Sequence, residues 1–95
     1  MKNTISAETL EKVLEKAASE YEYSVREYRY WDNAYEARMA ENDYESSDGC
    51  ASCRDIQTGI MQGIRMILGE MGYSIICEHT DDGEAVYKTV QRIQR

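Results

Sequence analysis

The side chains best suited to metal chemistry are Cys50-x-x-Cys53 and Cys77-x-His79. Tetrahedral zinc takes four sulfur or nitrogen ligands, and three thiolates with one imidazole are a structural set. A helix leaving Cys53, followed by a strand running back, brings Cys77 and His79 toward that end. The competing reading is packing. Cys50 and Cys53 continue an apolar helical stripe, and free cysteine is commonly buried. Cys77 falls between Ile75 and a turn, as a core residue does, and the second pair lacks the Cys-x-x-Cys form. Packing is therefore the main reading, and no cofactor is assigned. A small zinc-stabilised structural or regulatory module stands as the alternative. A thioredoxin-like role for Cys50 and Cys53 requires a preceding strand in a βαβ unit, which the pattern here does not provide.

Catalysis finds less to work with. His79 has no nucleophile beside it in sequence, and there is no glycine-rich phosphate loop or diagnostic carboxylate pair. The expectation is a chain that is not an enzyme. What remains is an aromatic and acidic run, YEYSVREYRYWDNAYEARMAENDY, from Tyr21 to Tyr44, holding six of the eight tyrosines and the only tryptophan. Tyr21, Tyr28, Trp31 and Tyr35 keep helical spacing with the apolar residues and read as core, in a chain without phenylalanine. Tyr23, Tyr30 and Tyr44 fall off that line. Tyrosine gives rigid contact area with one polar tip, which suits binding surfaces. Between Glu36 and Asp48 stand five acids, Glu36, Glu41, Asp43, Glu45 and Asp48, against the single base Arg38. Tyr23, Tyr30, Glu36, Glu41, Asp43, Tyr44, Glu45 and Asp48 are thus the candidate protein-binding residues. The plainer reading is a solvated acidic helix face. A nucleotide or small-molecule binder that stacks a base on Trp31 or an exposed tyrosine is a further alternative.

Charge narrows the partner. The net charge is −7, and the twelve acids and five bases between Ser6 and Asp48 account for all of it. Such a face repels nucleic acid and anionic membranes, and attracts a basic protein. Spaced carboxylates beside aromatic rings mimic phosphates and bases, so the expected target is a basic, nucleic-acid-binding protein that this chain inhibits. In size, acidity and lack of catalytic groups the chain resembles the small inhibitors that phages and mobile elements make against host defence, anti-CRISPR proteins among them. That resemblance is one of character, carried by no motif, and it transfers no site residue. No apolar run approaches the ~20 residues of a membrane span, and the N-terminus lacks the apolar stretch of a secretory signal. A cytoplasmic protein with reduced cysteines is expected.

The elements that position these residues follow from periodicity. Ninety-five residues form one small domain, and the pattern predicts an α+β fold: a long antiparallel helical hairpin followed by a two-stranded β-hairpin. Ser6 is a good N-cap, with Ile5 and Leu10 at the positions of a hydrophobic staple. Leu10, Leu14, Ala17, Ala18, Tyr21, Val25, Tyr28, Trp31, Tyr35 and Met39 then form one stripe, so the first helix runs from Ser6 to about Tyr44. The second helix runs from about Asp48 to Met71. Its stripe is Cys50, Cys53, Ile56, Ile60, Ile64, Ile67 and Met71, and Gly72 stops it. Gly59 and Gly63 on that stripe are expected to make room for the rings of Trp31 and Tyr35. From about Tyr73 to Ile93 the period changes to a β-hairpin, with Asp82-Gly83 as a two-residue loop that sets Ile75 opposite Val90 and Glu78 opposite Tyr87. The helices differ in length, about 58 Å against about 36 Å. The N-terminal third of the first helix therefore needs a cover, and a homodimer is the expected one, ahead of the β-hairpin or a break in the helix.

Overall fold

Ser6 opens the first helix, α1 (Ala7–Ala40), because its hydroxyl accepts from the Thr9 N–H at 3.1 Å. A computed structural model of the protein describes residues 6–92. Ile5 of the expected staple and Ile93 of the expected hairpin lie outside those residues. The helix α1 ends four residues before the expected Tyr44. Asn42 takes the left-handed conformation (φ 60°), which asparagine tolerates better than most residues. Its N–H donates to Met39 O at 3.0 Å, and the Asp43 N–H donates to Arg38 O at 2.9 Å. These two bonds close the helix as a Schellman motif.

The same Asp43 starts the second helix, α2 (Tyr44–Glu70), where its carboxylate accepts from the Ser46 N–H at 3.2 Å. The start falls four residues earlier than Asp48. Sequence pattern hid this because Ser46 and Ser47 read as loop residues. Ser46 is instead the N3 donor to the cap, and Ser47 is a buried residue whose hydroxyl donates to Tyr44 O at 2.9 Å. Gly72 (φ 88°) ends α2 as expected. At 1.5 Å per residue α1 is about 51 Å long and α2 about 40 Å.

Two strands follow, β1 (Tyr73–His79) and β2 (Ala85–Gln91), paired antiparallel. The α+β, α-α-β-β architecture is therefore as the sequence predicts. The register differs by one residue: Ile75 pairs with Thr89, Cys77 with Tyr87 and Glu78 with Val86. The cause is the loop. Thr80 pairs with Glu84 through its N–H (2.9 Å), Gly83 donates to Thr80 O (2.8 Å), and Gly83 has φ 86°. This is a three-residue Asp81-Asp82-Gly83 loop closed by a glycine bulge. Thr80 holds it, with its side-chain oxygen accepting from the Glu84 N–H and its hydroxyl donating to Asp82. The shift places Tyr87 on the same face as Ile75 and Cys77. That face meets α1, where the Tyr87 and Tyr21 rings sit 5.7 Å apart. Strand β2 thus lies along the N-terminal half of α1, with Tyr87, Leu14 and Ala18 on the walls of one cleft. The β-hairpin supplies part of the cover that the N-terminal third of α1 needs, although Val13 stays exposed.

The helix–helix core is thin. Ala18, Tyr21, Cys50 and Leu68 are its buried apolar residues, joined by buried Ser24 and Ser47. Tyr28, Trp31 and Tyr35 are only half-buried. The buried line of α2 is Ser47, Cys50 and Leu68, with Arg54, Gln57, Met61 and Ile64 half-buried between them on heptad spacing. The expected stripe is overturned in part: Cys50 is buried and Cys53 and Ile64 are half-buried, but Ile56, Ile60, Ile67 and Met71 are exposed. The glycine expectation falls with it, because nothing lies within 4 Å of a Cβ built on Gly59 or Gly63. The reason is that α2 carries two apolar lines. The inward one is chosen by what α1 offers. Arg54 bonds Asp32 at 3.2 Å and stacks over Tyr35 at 4.8 Å, and Arg65 stacks over Tyr21 at 5.1 Å. Small Ser47 and Cys50 are buried on the same line.

Candidate functional site

The residues proposed for binding divide by element. Tyr23 and Tyr30 stand seven apart on α1, so they share one face. They are 57% and 61% exposed, on the side of the helix away from Tyr21 and Ser24. Glu27 lies between them. The edge of one ring of the Tyr30–Trp31 pair meets the face of the other, with centroids 5.0 Å apart and planes at 86°. This arrangement suits the ring quadrupoles and holds Tyr30 against the helix surface. Trp31, expected in the core, is half-buried and forms the inner member of this surface pair.

The acidic residues gather where α1 turns into α2. Glu36 is exposed on the last turns of α1. Glu41 caps that helix and pairs with Arg38 at 3.7 Å, in the open. Arg38 is thereby drawn to a carboxylate and neutralises little beyond it. Glu45 sits in the first turn of α2 and Asp48 one turn on, both exposed. Carboxylates there are favoured by the helix dipole. Tyr44 is 57% exposed, and its hydroxyl donates to Asn42 Oδ1 at 2.9 Å, which steadies the ring at the tip of the hairpin. Asp43 is the exception. Its carboxylate is engaged as the N-cap, so its first role is to hold the turn. The tip therefore presents one fixed tyrosine among the exposed carboxylates of Glu36, Glu45 and Asp48 and the Arg38-paired Glu41, and the α1 face adds two more tyrosines nearer the middle of the molecule.

The metal alternative meets a different geometry. Cys50 is buried, Cys53 half-buried, and Cys77 and His79 exposed. Among the described residues no group of three or more His, Cys, Asp or Glu side chains is placed to hold a metal ion. The four are not brought together. A strand of seven residues spans only about 20 Å, so His79 falls short of the start of α2. Cys77 instead pairs across the sheet with Tyr87. Burial first, and the neighbouring thiol second, push the Tyr87 hydroxyl above its ordinary pKa.

Sequence reading missed the Arg54 clamp. Arg54 bonds Asp32 across the hairpin and Asp55 beside it (3.4 Å), and the hydrogen bond to Asp32 raises its pKa further above the ordinary value. A base on the same heptad line as Cys50, Met61, Ile64 and Leu68 was the available signal. A cleft of about 460 Å³ between α1 and β2 is bordered by Glu11, Glu15, Glu22 and Lys88. It contains neither Trp31 nor the exposed tyrosines. No helix among the described residues is long and apolar enough to cross a membrane. No protein-family model, curated protein or solved structure matches this chain.

Proposed function

We propose that the protein is a non-enzymatic, acidic protein-binding module acting in the cytoplasm, and that it inhibits a basic, nucleic-acid-binding protein by occupying its nucleic-acid site. The observation that carries this reading is the exposure of Tyr44 among Glu36, Glu41, Glu45 and Asp48 at one end of a rigid hairpin. Carboxylates held at helical spacing present charge at separations a phosphate backbone also presents. Tyr44, Tyr23 and Tyr30 offer flat surface where bases would stack. The form of such an inhibitor is that of the phage and mobile-element proteins directed at host defence, and an anti-CRISPR-like role is the specific version proposed.

The test is a paired capture. Wild-type chain and a Glu36→Lys, Glu41→Lys, Glu45→Lys variant are immobilised and exposed to host lysate. Asp43 is left intact because it caps α2. The expected result is a basic protein retained by wild type, lost from the variant, and displaced by duplex or single-stranded nucleic acid. Equal retention by both baits, or a retained protein indifferent to nucleic acid, overturns the proposal.

A further inference from the structure

We infer that the outward face of α2 is a homodimer interface, on which two copies pair antiparallel about a twofold axis at Gly63. The face is the apolar line that the core left unused. Ile56 is 60% exposed, Ile67 63% and Met66 69%, with Ile60 and Met71 also exposed. Gly59 and Gly63 lie among them with open space above. Between Gly49 and Met71 this face carries two charged residues, Glu70 and, at its margin beside Met66, Asp55, which is held by Arg54 at 3.4 Å, in a chain that is 31% charged.

Area argues that another chain covers it. A compact monomer of 11.0 kDa exposes about 5,600 Å², whereas this one exposes 7429 Å². The excess of about 1,800 Å² is spread over an elongated molecule of 57 × 39 × 26 Å, and it leaves room for the roughly 800 Å² that a standard interface removes from each partner. The radius of gyration is 17.1 Å, against about 12 Å for a globular chain of this length. Among the described residues, four buried apolar side chains are also a slender core. From Gly49 to Met71 the face runs about 33 Å, the length of about three heptads, enough for a helix-pair seam.

Charge argues that the occupant is a second copy. The basic target proposed above finds two carboxylates here, Glu70 and Asp55, and Asp55 is already paired with Arg54. Anionic lipid finds no cation, because Arg54 and Arg65 turn inward to Asp32 and Tyr21. A second copy brings a surface equally uncharged, and the large and small residues interlock. About an axis at Gly63, each Ile67 lies over Gly59 of the other copy and each Ile60 lies beside Met66. Bare glycine at the axis lets the helices approach closely. Glu70 then falls opposite Ile56, whereas a parallel pairing sets Glu70 beside Glu70. The assembly is a four-helix arrangement with the two α2 helices inside and the α1 tyrosine faces outside.

Sedimentation equilibrium of the full chain from about 1 to about 100 μM tests this. Twice the chain mass of 11.0 kDa is expected. Ile67→Glu is expected to weaken dimerisation about 100-fold or more, because each copy then buries an unpaired charge. Its helical circular dichroism should persist, since Ile67 is exposed within one chain. In a Cys77→Ser background, Gly63→Cys should cross-link to itself on mild oxidation, and Lys16→Cys on α1 should not. A monomer at the highest concentration, including one that captures a different protein through this face, overturns the inference. So does an Ile67→Glu chain that remains dimeric. The Glu36, Glu41, Glu45 reversal should leave the dimer intact, which separates this result from failure of the binding proposal.

Discussion

Asp43 shows how one carboxylate can look like part of an acidic surface and be structural. Its place among Glu41, Glu45 and Asp48 reads as charge, but its oxygen is bonded to the Ser46 N–H. Asp43→Ala should cost about 1 kcal/mol, the usual worth of an N-cap, and Asp43→Asn much less. Chemical denaturation of the two variants checks this. Equal losses would mean that the charge matters and the cap does not. Arg54 is the other residue whose role was hidden. It joins α2 to α1 through Asp32 and lies over Tyr35. Arg54→Met should lower the melting temperature, and a double-mutant cycle with Asp32→Asn should give a positive coupling. Additive effects would show that the ion pair contributes nothing of its own.

At the scale of elements, helix identity was legible and helix boundaries were not. Periodicity over many turns outvotes any single residue, so α1 and α2 could be read directly. The turn between them depends on three residues, Glu41, Asn42 and Asp43, where closure and capping overlap. The β-hairpin is similar. Asp-Gly signalled a turn, but Thr80 decided its length by bonding Glu84 and Asp82. That hydrogen bond holds Asp82 below its ordinary pKa of 3.8. A depressed carboxylate stabilises the turn above its unfolded pKa and stops doing so as pH falls through the lower, folded value. An NMR titration should therefore place Asp82 below 3.8, and Thr80→Val should return it upward. An unchanged value in the variant would remove Thr80 as the cause. Gly49, in the second turn of α2, has nothing within 4 Å of a built Cβ. Gly49→Ala should stabilise the helix by about 1 kcal/mol.

Across the whole molecule, charge is the dominant feature. The −7 net charge lies on α1 and the start of α2, and a fold with a thin core carries that repulsion as a cost. Raising salt from about 20 to about 200 mM screens it, with the Debye length falling from about 20 Å to under 10 Å. The melting temperature should rise by a few degrees, while capture of a basic target weakens over the same range. A melting temperature that falls with salt would mean that the exposed i,i+4 pairs outweigh the net repulsion. The opposed directions distinguish repulsion within the chain from attraction to a partner.

Sequence alone determined the order α-α-β-β, the end of α2 at Gly72, the exposure of Tyr23, Tyr30 and Tyr44, and the asymmetry of charge. Each is a property of periodicity, backbone chemistry or composition. Tertiary structure decided which of two apolar lines on α2 faces inward. Both lines have helical spacing, so pattern cannot rank them. The choice depends on fitting Arg54 and Arg65 to Asp32, Tyr35 and Tyr21, with small Ser47 and Cys50 buried on the same line. It depends on groups some twenty to forty residues apart in sequence. That choice left Ile56, Ile60 and Ile67 outside.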